Sequence, residues 1–202
     1  MVLSIAALHR STVGRWSFWT LMFIGSLAPL GWISLQAVQQ QLGADPAQVI
    51  VTFLGIWALR FLWLSLAITP ARRLLGMAWL QRYRRMLGLY ALFYATVHLL
   101  AVATFILGWR PDLLLRELTE RPYIIAGFAA WILLLPLAVT STQGWQRRLG
   151  KRWKRLHWLV YPIALLALLH FVWLIRAGYL EVLIYTLILA FLLGYRLYLK
   201  WR

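Results

Sequence analysis

The sequence predicts an all-α integral membrane protein, a bundle of six transmembrane helices with both termini on the cytoplasmic side. Three observations lead there. Six apolar blocks, at about 16–37, 48–69, 86–108, 122–140, 156–175 and 179–199, each approach the roughly 20 residues that a hydrocarbon core demands. The segments between them are short, so residues 1–202 read as one transmembrane domain with nothing folded separately outside the bilayer. Lysine and arginine alternate from loop to loop as the positive-inside rule requires.

The first block follows a tail carrying Arg10 and Arg15, and no small-residue cleavage motif closes it, so it reads as a span and not as a signal peptide. The second begins at Asp45-Pro46, an N-cap acid followed by proline at the first helical position. Thr69-Pro70 is expected to end it, because the residue before a proline avoids the helical region. The third rises from the basic run Arg82, Arg84 and Arg85, and Pro122 opens the fourth. Pro136 and Pro162 lie inside spans and are expected to kink them. No internal repeat stands out.

Charge sets the orientation. The N-terminal tail, the loop holding Arg72, Arg73, Arg82, Arg84 and Arg85, the loop from Arg147 to Arg155, and the C-terminal Arg196, Lys200 and Arg202 together carry basic residues and no acid. The opposite loops balance Arg110, Arg116, Arg121 and Arg176 against Asp45, Asp112, Glu117, Glu120 and Glu181. The net charge of +16 is therefore a topology signal with some affinity for anionic lipid. It is not a nucleic-acid footprint, since no soluble basic face exists to track phosphates. Most of the 13 tryptophans read as interfacial anchors. With no cysteine in the chain, disulfides, thiolate metal sites, iron–sulfur clusters and thioether-anchored haem are excluded, which leaves imidazole as the metal ligand.

Histidine within hydrocarbon is costly unless something binds it. His98 follows Arg85 by 13 residues and His170 follows Arg155 by 15. At 1.5 Å per residue they lie roughly 20 and 22 Å inside two spans that run the same way. Two imidazoles at one depth on different helices suit the two faces of a b-type haem. A lone histidine in a span serves equally well as an interhelical hydrogen-bonding group; matched depth favours ligation. His157 is only two residues past Arg155, at the cytoplasmic surface, and points about 140° away from His170. It is a ligand for a second centre or an interfacial histidine. Arg60, roughly 18 Å from the cytoplasmic side, shares the level of the pair and would suit haem propionates, or else lines a water-filled cavity.

The segments RRMLGLYALFYATVH (Arg84 to His98), TSTQGWQRRLGKRWKRLHWLVYPIALLALLH (Thr140 to His170) and GADPAQVIVTFLGIWALRFL (Gly43 to Leu62) resemble the MsrQ/YedZ family. These are haem-binding membrane subunits of the periplasmic methionine sulfoxide reductase system, within the ferric reductase-like transmembrane superfamily. The resemblance covers nearly the whole chain. It implies haem b, one with provision for a second, with His98, His157 and His170 as the associated histidines, and FMN as a candidate further cofactor whose site it does not name. It also implies an inner-membrane electron conduit, a non-catalytic redox subunit fed by quinol or a cytoplasmic flavoprotein. The partner would be a periplasmic molybdopterin-containing reductase that repairs oxidised proteins. The family's second-span start usually reads Asn-Pro and carries a further histidine and an acid, where this chain has Asp45, Thr52 and Ile56. The chain stops soon after the sixth span, so no flavin domain of its own is expected. Two other functions stay open: direct reduction of external ferric iron, and a transporter without haem. Against the second, no acidic residue lies deep in a span to relay protons.

Overall fold

In the computed structural model, which describes residues 11–175 and 178–201, the chain is helical throughout, with no strand among the described residues. Arg10, Arg176, Arg202 and His9, together with the side chain of Lys200, lie outside that description. The long elements are α1 (Thr12–Val38), α2 (Pro46–Leu74) and α3 (Arg84–Ala101), the last continuing through a π-turn, Val102–Ile106. A short helix α4 (Pro111–Glu120) precedes α5 (Pro122–Val139). Then come α6 (Gln143–Leu149), α7 (Lys151–His157), α8 (Val160–Leu174) and α9 (Tyr179–Trp201). Six helical stretches are long and apolar enough to cross a membrane, with α7 and α8 acting as one. They fall on the six blocks read from the sequence.

Local chemistry explains most boundaries. Asp45 caps α2 by accepting from the Gln48 amide at 3.0 Å, with Pro46 in the first turn. Pro122 likewise opens α5. The fifth span is interrupted at Trp158 and Leu159. Pro162 has no N–H for the Trp158 carbonyl, which accepts from Tyr161 at 3.1 Å instead, and the ladder restarts after it.

Two expectations need correction. Thr69-Pro70 does not end the second span, because α2 runs through Pro70 to Leu74. Pro70 leaves the buried Leu66 carbonyl without its helical donor, and the Arg196 guanidinium of α9 supplies one at 2.7 Å while also donating to Thr69 Oγ1 at 3.3 Å. The stretch around residue 115 is not simple loop either. It forms α4, whose charges close ion pairs Arg116–Glu120 at 2.8 Å and Arg121–Glu117 at 3.1 Å. The first pair is exposed and the second half-exposed, so both contribute little to stability.

The most extensive packing is between α2 and α3 and between α5 and α8; α3 joins the two pairs through α5, and α9 covers α2 and α8. Tyr94, Leu54, Leu66, Ile163 and Leu189 are fully buried at these seams, while Leu165, Leu187 and Phe191 face outward, as lipid-facing residues do. Because lipid tails are as apolar as leucine, packing and polar ties hold such helices together. Tyr90 donates to the Phe23 carbonyl and Tyr94 to the Ser26 carbonyl, both at 2.7 Å, and Leu30 N–H donates back to the Tyr94 hydroxyl at 3.2 Å. Tyr94 is thus inserted into the ladder of α1 beside Pro29 and fastens α1 to α3. Trp131 donates to Thr96 at 3.0 Å, tying α5 to α3.

Candidate functional site

The two deep histidines meet. His98 on α3 and His170 on α8 place their ring centres 6.3 Å apart, with the ring planes at 79°. Each ring is oriented from behind. His98 Nδ1 lies 2.8 Å from the Val51 carbonyl on α2, and His170 Nδ1 lies 2.7 Å from the Tyr123 carbonyl on α5. A carbonyl only accepts, so Nδ1 carries the proton in both rings, and both Nε2 atoms keep a lone pair for a metal or an acid. Two imidazoles that each hold a shared metal at about 2 Å through one nitrogen have ring centres about 6 Å apart, so the spacing of this pair would suit one metal held between them. Backbone carbonyls in this position fix the tautomer and raise ligand basicity.

The same device is built twice. In each case the histidine follows its carbonyl partner by 47 residues. A glycine, Gly55 or Gly127, stands one turn after that carbonyl and lets the ring lie against the helix backbone. A Cβ at Gly55 would meet His98 Nδ1 and Cε1 at 3.1 Å; at Gly127 it would meet His170 Nδ1 at 2.7 Å and Cε1 and Cγ at 2.9 Å. Helix pairs α2/α3 and α5/α8 therefore share one local arrangement of carbonyl, glycine and histidine. Equal spacing of Gly55 to His98 and Gly127 to His170 is the signal that would have disclosed it.

His157 stands apart from this pair. It ends α7, stacks on Trp153 with ring centres 3.9 Å apart, and has Nδ1 3.2 Å from the Trp153 carbonyl. Arg60 turns about 140° from Gly55 around α2, so it meets α9, donating through Nε to the Tyr185 hydroxyl at 2.7 Å. Its guanidinium also lies 4.9 Å from the centre of the Trp57 ring. Tyr185 carried no mark in the sequence, because its partner lies 125 residues away. Among the described residues no group of three or more His, Cys, Asp or Glu side chains that could hold a metal ion converges.

Comparison with known proteins gives a consistent result. The family described as ferric reductase like transmembrane component matches residues 54–168. The chain is 54% identical over 187 residues, 90% of its length and 86% of the relative's, to the protein-methionine-sulfoxide reductase heme-binding subunit MsrQ of Xanthomonas oryzae pv. oryzae (strain MAFF 311018). It is 53% identical over 178 residues, 87% of the chain and 82% of the relative, to the protein of that name from Xanthomonas campestris pv. campestris (strain 8004). The corresponding figures for Polaromonas naphthalenivorans (strain CJ2) are 45% over 185 residues, 90% and 84%. No solved structure matches it. A six-span bundle, a family match over more than half of the chain and relatives aligned almost end to end lead to one assignment: the chain belongs to the MsrQ family of ferric reductase-like transmembrane proteins.

Proposed function

We propose that this chain is the haem-binding membrane subunit of a protein-methionine-sulfoxide reductase. It passes electrons from quinol or a cytoplasmic flavoprotein across the inner membrane to a periplasmic molybdopterin-containing reductase that repairs oxidised proteins. The observation that carries this reading is the pair His98 and His170, 6.3 Å apart with both Nδ1 atoms engaged by carbonyls. The relatives, named as heme-binding subunits of protein-methionine-sulfoxide reductase, support it. Haem b, when bound, supplies reversible one-electron storage. His98 and His170 would hold its iron through their free ring nitrogens. Val51 and Tyr123 hold the rings in the ligating tautomer, Gly55 and Gly127 admit them, and the apolar flanks exclude water and help set the potential.

His157 belongs to the opposite end of the path, beside the basic collar Lys151 to Arg155, where a second haem would recruit it. The same collar offers its positive charge to an FMN phosphate or to anionic lipid. The segregated charges support a cytoplasmic position for this end and for both termini. Residues 1–202 then act as a single ferric reductase-like domain.

The purified chain should show a b-type difference spectrum between its reduced and oxidised forms. The reduced form should be reoxidised by the periplasmic reductase only when methionine sulfoxide is present. Colourless protein after haem-replete expression would overturn the proposal in favour of a transporter. The ferric reductase-like match favours one second reading, direct reduction of external ferric iron. Ferric reduction by the isolated chain at a rate unaffected by the partner would select it.

A further inference from the structure

A second polar cluster lies where α2 meets α9, beside the helices that carry the histidines, and it holds more donors than acceptors. Trp57 Nε1–H is buried and has no partner among the described residues. Arg60 lies over the Trp57 ring and spends only its Nε on the Tyr185 hydroxyl, while that hydroxyl, having accepted, keeps its own hydrogen to donate. Trp63 Nε1 donates to the Tyr185 carbonyl at 3.1 Å and helps hold the tyrosine on α9 in place. A buried N–H without an acceptor is costly, and so is a part-buried guanidinium with a hydroxyl as its one acceptor and no counter-charge. No acid of this chain relieves them. Asp45 caps α2, Asp112, Glu117 and Glu120 pair with Arg110, Arg121 and Arg116, and Glu181 lies in the first turn of α9.

The location limits what the acceptor can be. The Trp57 ring packs 6.5 Å from that of Tyr94, which precedes His98 by one turn on α3, and the Tyr185 ring packs 5.4 Å from that of Phe171, the neighbour of His170. The donor set, on α2 and α9, therefore packs against α3 one turn before His98 and against α8 directly after His170. A flat ligand gripped by both imidazoles, with an acidic arm directed toward α2 and α9, would present its carboxylate there.

We infer that Trp57, Arg60 and Tyr185 form a carboxylate seat for the ligand held between His98 and His170, which is a haem propionate on the function proposed above, a reading this inference rests on. The guanidinium offers charge and paired donors, and the indole and phenol offer one donor each. Bound this way, the carboxylate stays ionised and the positive charge favours the reduced state of the ligand.

The test uses the full-length, haem-loaded chain and four substitutions, Trp57→Phe, Tyr185→Phe, Arg60→Gln and Arg60→Lys. Haem occupancy, the propionate bending band in resonance Raman, and the midpoint potential as a function of pH are read for each. Occupancy should persist in Trp57→Phe and Tyr185→Phe while the propionate band shifts. The pH-dependent stretch of the potential should move to higher pH, because removing donors raises the carboxylate pKa. Arg60→Gln should lower the potential, and Arg60→Lys should recover part of it. If Arg60→Gln binds no haem, retention of haem by Arg60→Lys supports the seat. Haem-loaded Trp57→Phe and Arg60 variants with wild-type band and potential would overturn it and leave the haem assignment standing. A wild-type chain without a haem spectrum would overturn both.

Discussion

Gly127→Ala is the most informative small perturbation in the structure. The added Cβ would stand 2.7 Å from His170 Nδ1 and 2.9 Å from Cε1 and Cγ, against an ordinary contact of 3.4 Å or more. His170 must then retreat by about 0.7 Å or α5 and α8 must part, at about 1–3 kcal/mol for an overpacked seam. The retreat also strains the 2.7 Å bond to the Tyr123 carbonyl, worth about 1 kcal/mol. Part of this cost falls on the ligating geometry, and the expected loss of haem affinity is about 10- to 100-fold, the range found when an outer partner of a metal-ligating histidine is removed. Gly55→Ala meets His98 at 3.1 Å and needs only a few tenths of an ångström, so its loss should be smaller. Gly25→Ala on α1 meets nothing within 4 Å and is the control, expected to bind normally and to gain up to about 1 kcal/mol of helix propensity. Haem titration into the apo chain, followed at the Soret band, measures all three. Equal affinities for the Gly127 and Gly25 variants would refute the reasoning, since the close approach of His170 to α5 would then have no part in ligand binding.

Three further outcomes follow from geometry already described. With the imidazole planes at 79°, the oxidised haem should give the strongly anisotropic low-spin EPR signal of crossed axial ligands; a signal of parallel-plane type would mean that the rings rotate on loading. Arg196→Ala should destabilise the bundle by about 1–3 kcal/mol by orphaning the Leu66 carbonyl, and Pro70→Ala should rescue it by restoring a helical N–H; a thermal-denaturation cycle without coupling would contradict this. Tyr94→Phe removes the hydroxyl between Ser26 and Leu30, so amide exchange should accelerate around Pro29 while exchange in α8 is unchanged.

What the sequence discloses here is whatever depends on position along one helix. Asp45-Pro46 announces its own N-cap, basic collars mark where spans begin, and counting from Arg85 and Arg155 places His98 and His170 at one depth. The features that escape are those in which one helix corrects another. Pro70 reads as a stop because its remedy, Arg196, is contributed by the last span. Gly55 and Gly127 read as ordinary small residues in apolar runs until the rings are seen against them. The carbonyls of Val51 and Tyr123 are invisible to any side-chain pattern. Arg60 is legible as an expensive charge, but its partner Tyr185 depends on how α9 crosses α2. The break before Val160 was partly legible, since Pro162 signals it, whereas α4 was hidden among loop charges.

The most direct measurement is the reduced-minus-oxidised absorption spectrum of the purified chain beside its His98→Ala, His170→Ala and His157→Ala variants, with haem quantified per polypeptide. Loss of the b-type haem held by the pair in each of the first two, and its retention in the third, is the predicted result. A spectrum that survives both His98→Ala and His170→Ala, or that depends on His157 as strongly as on either, would contradict the assignment of that pair as the ligands.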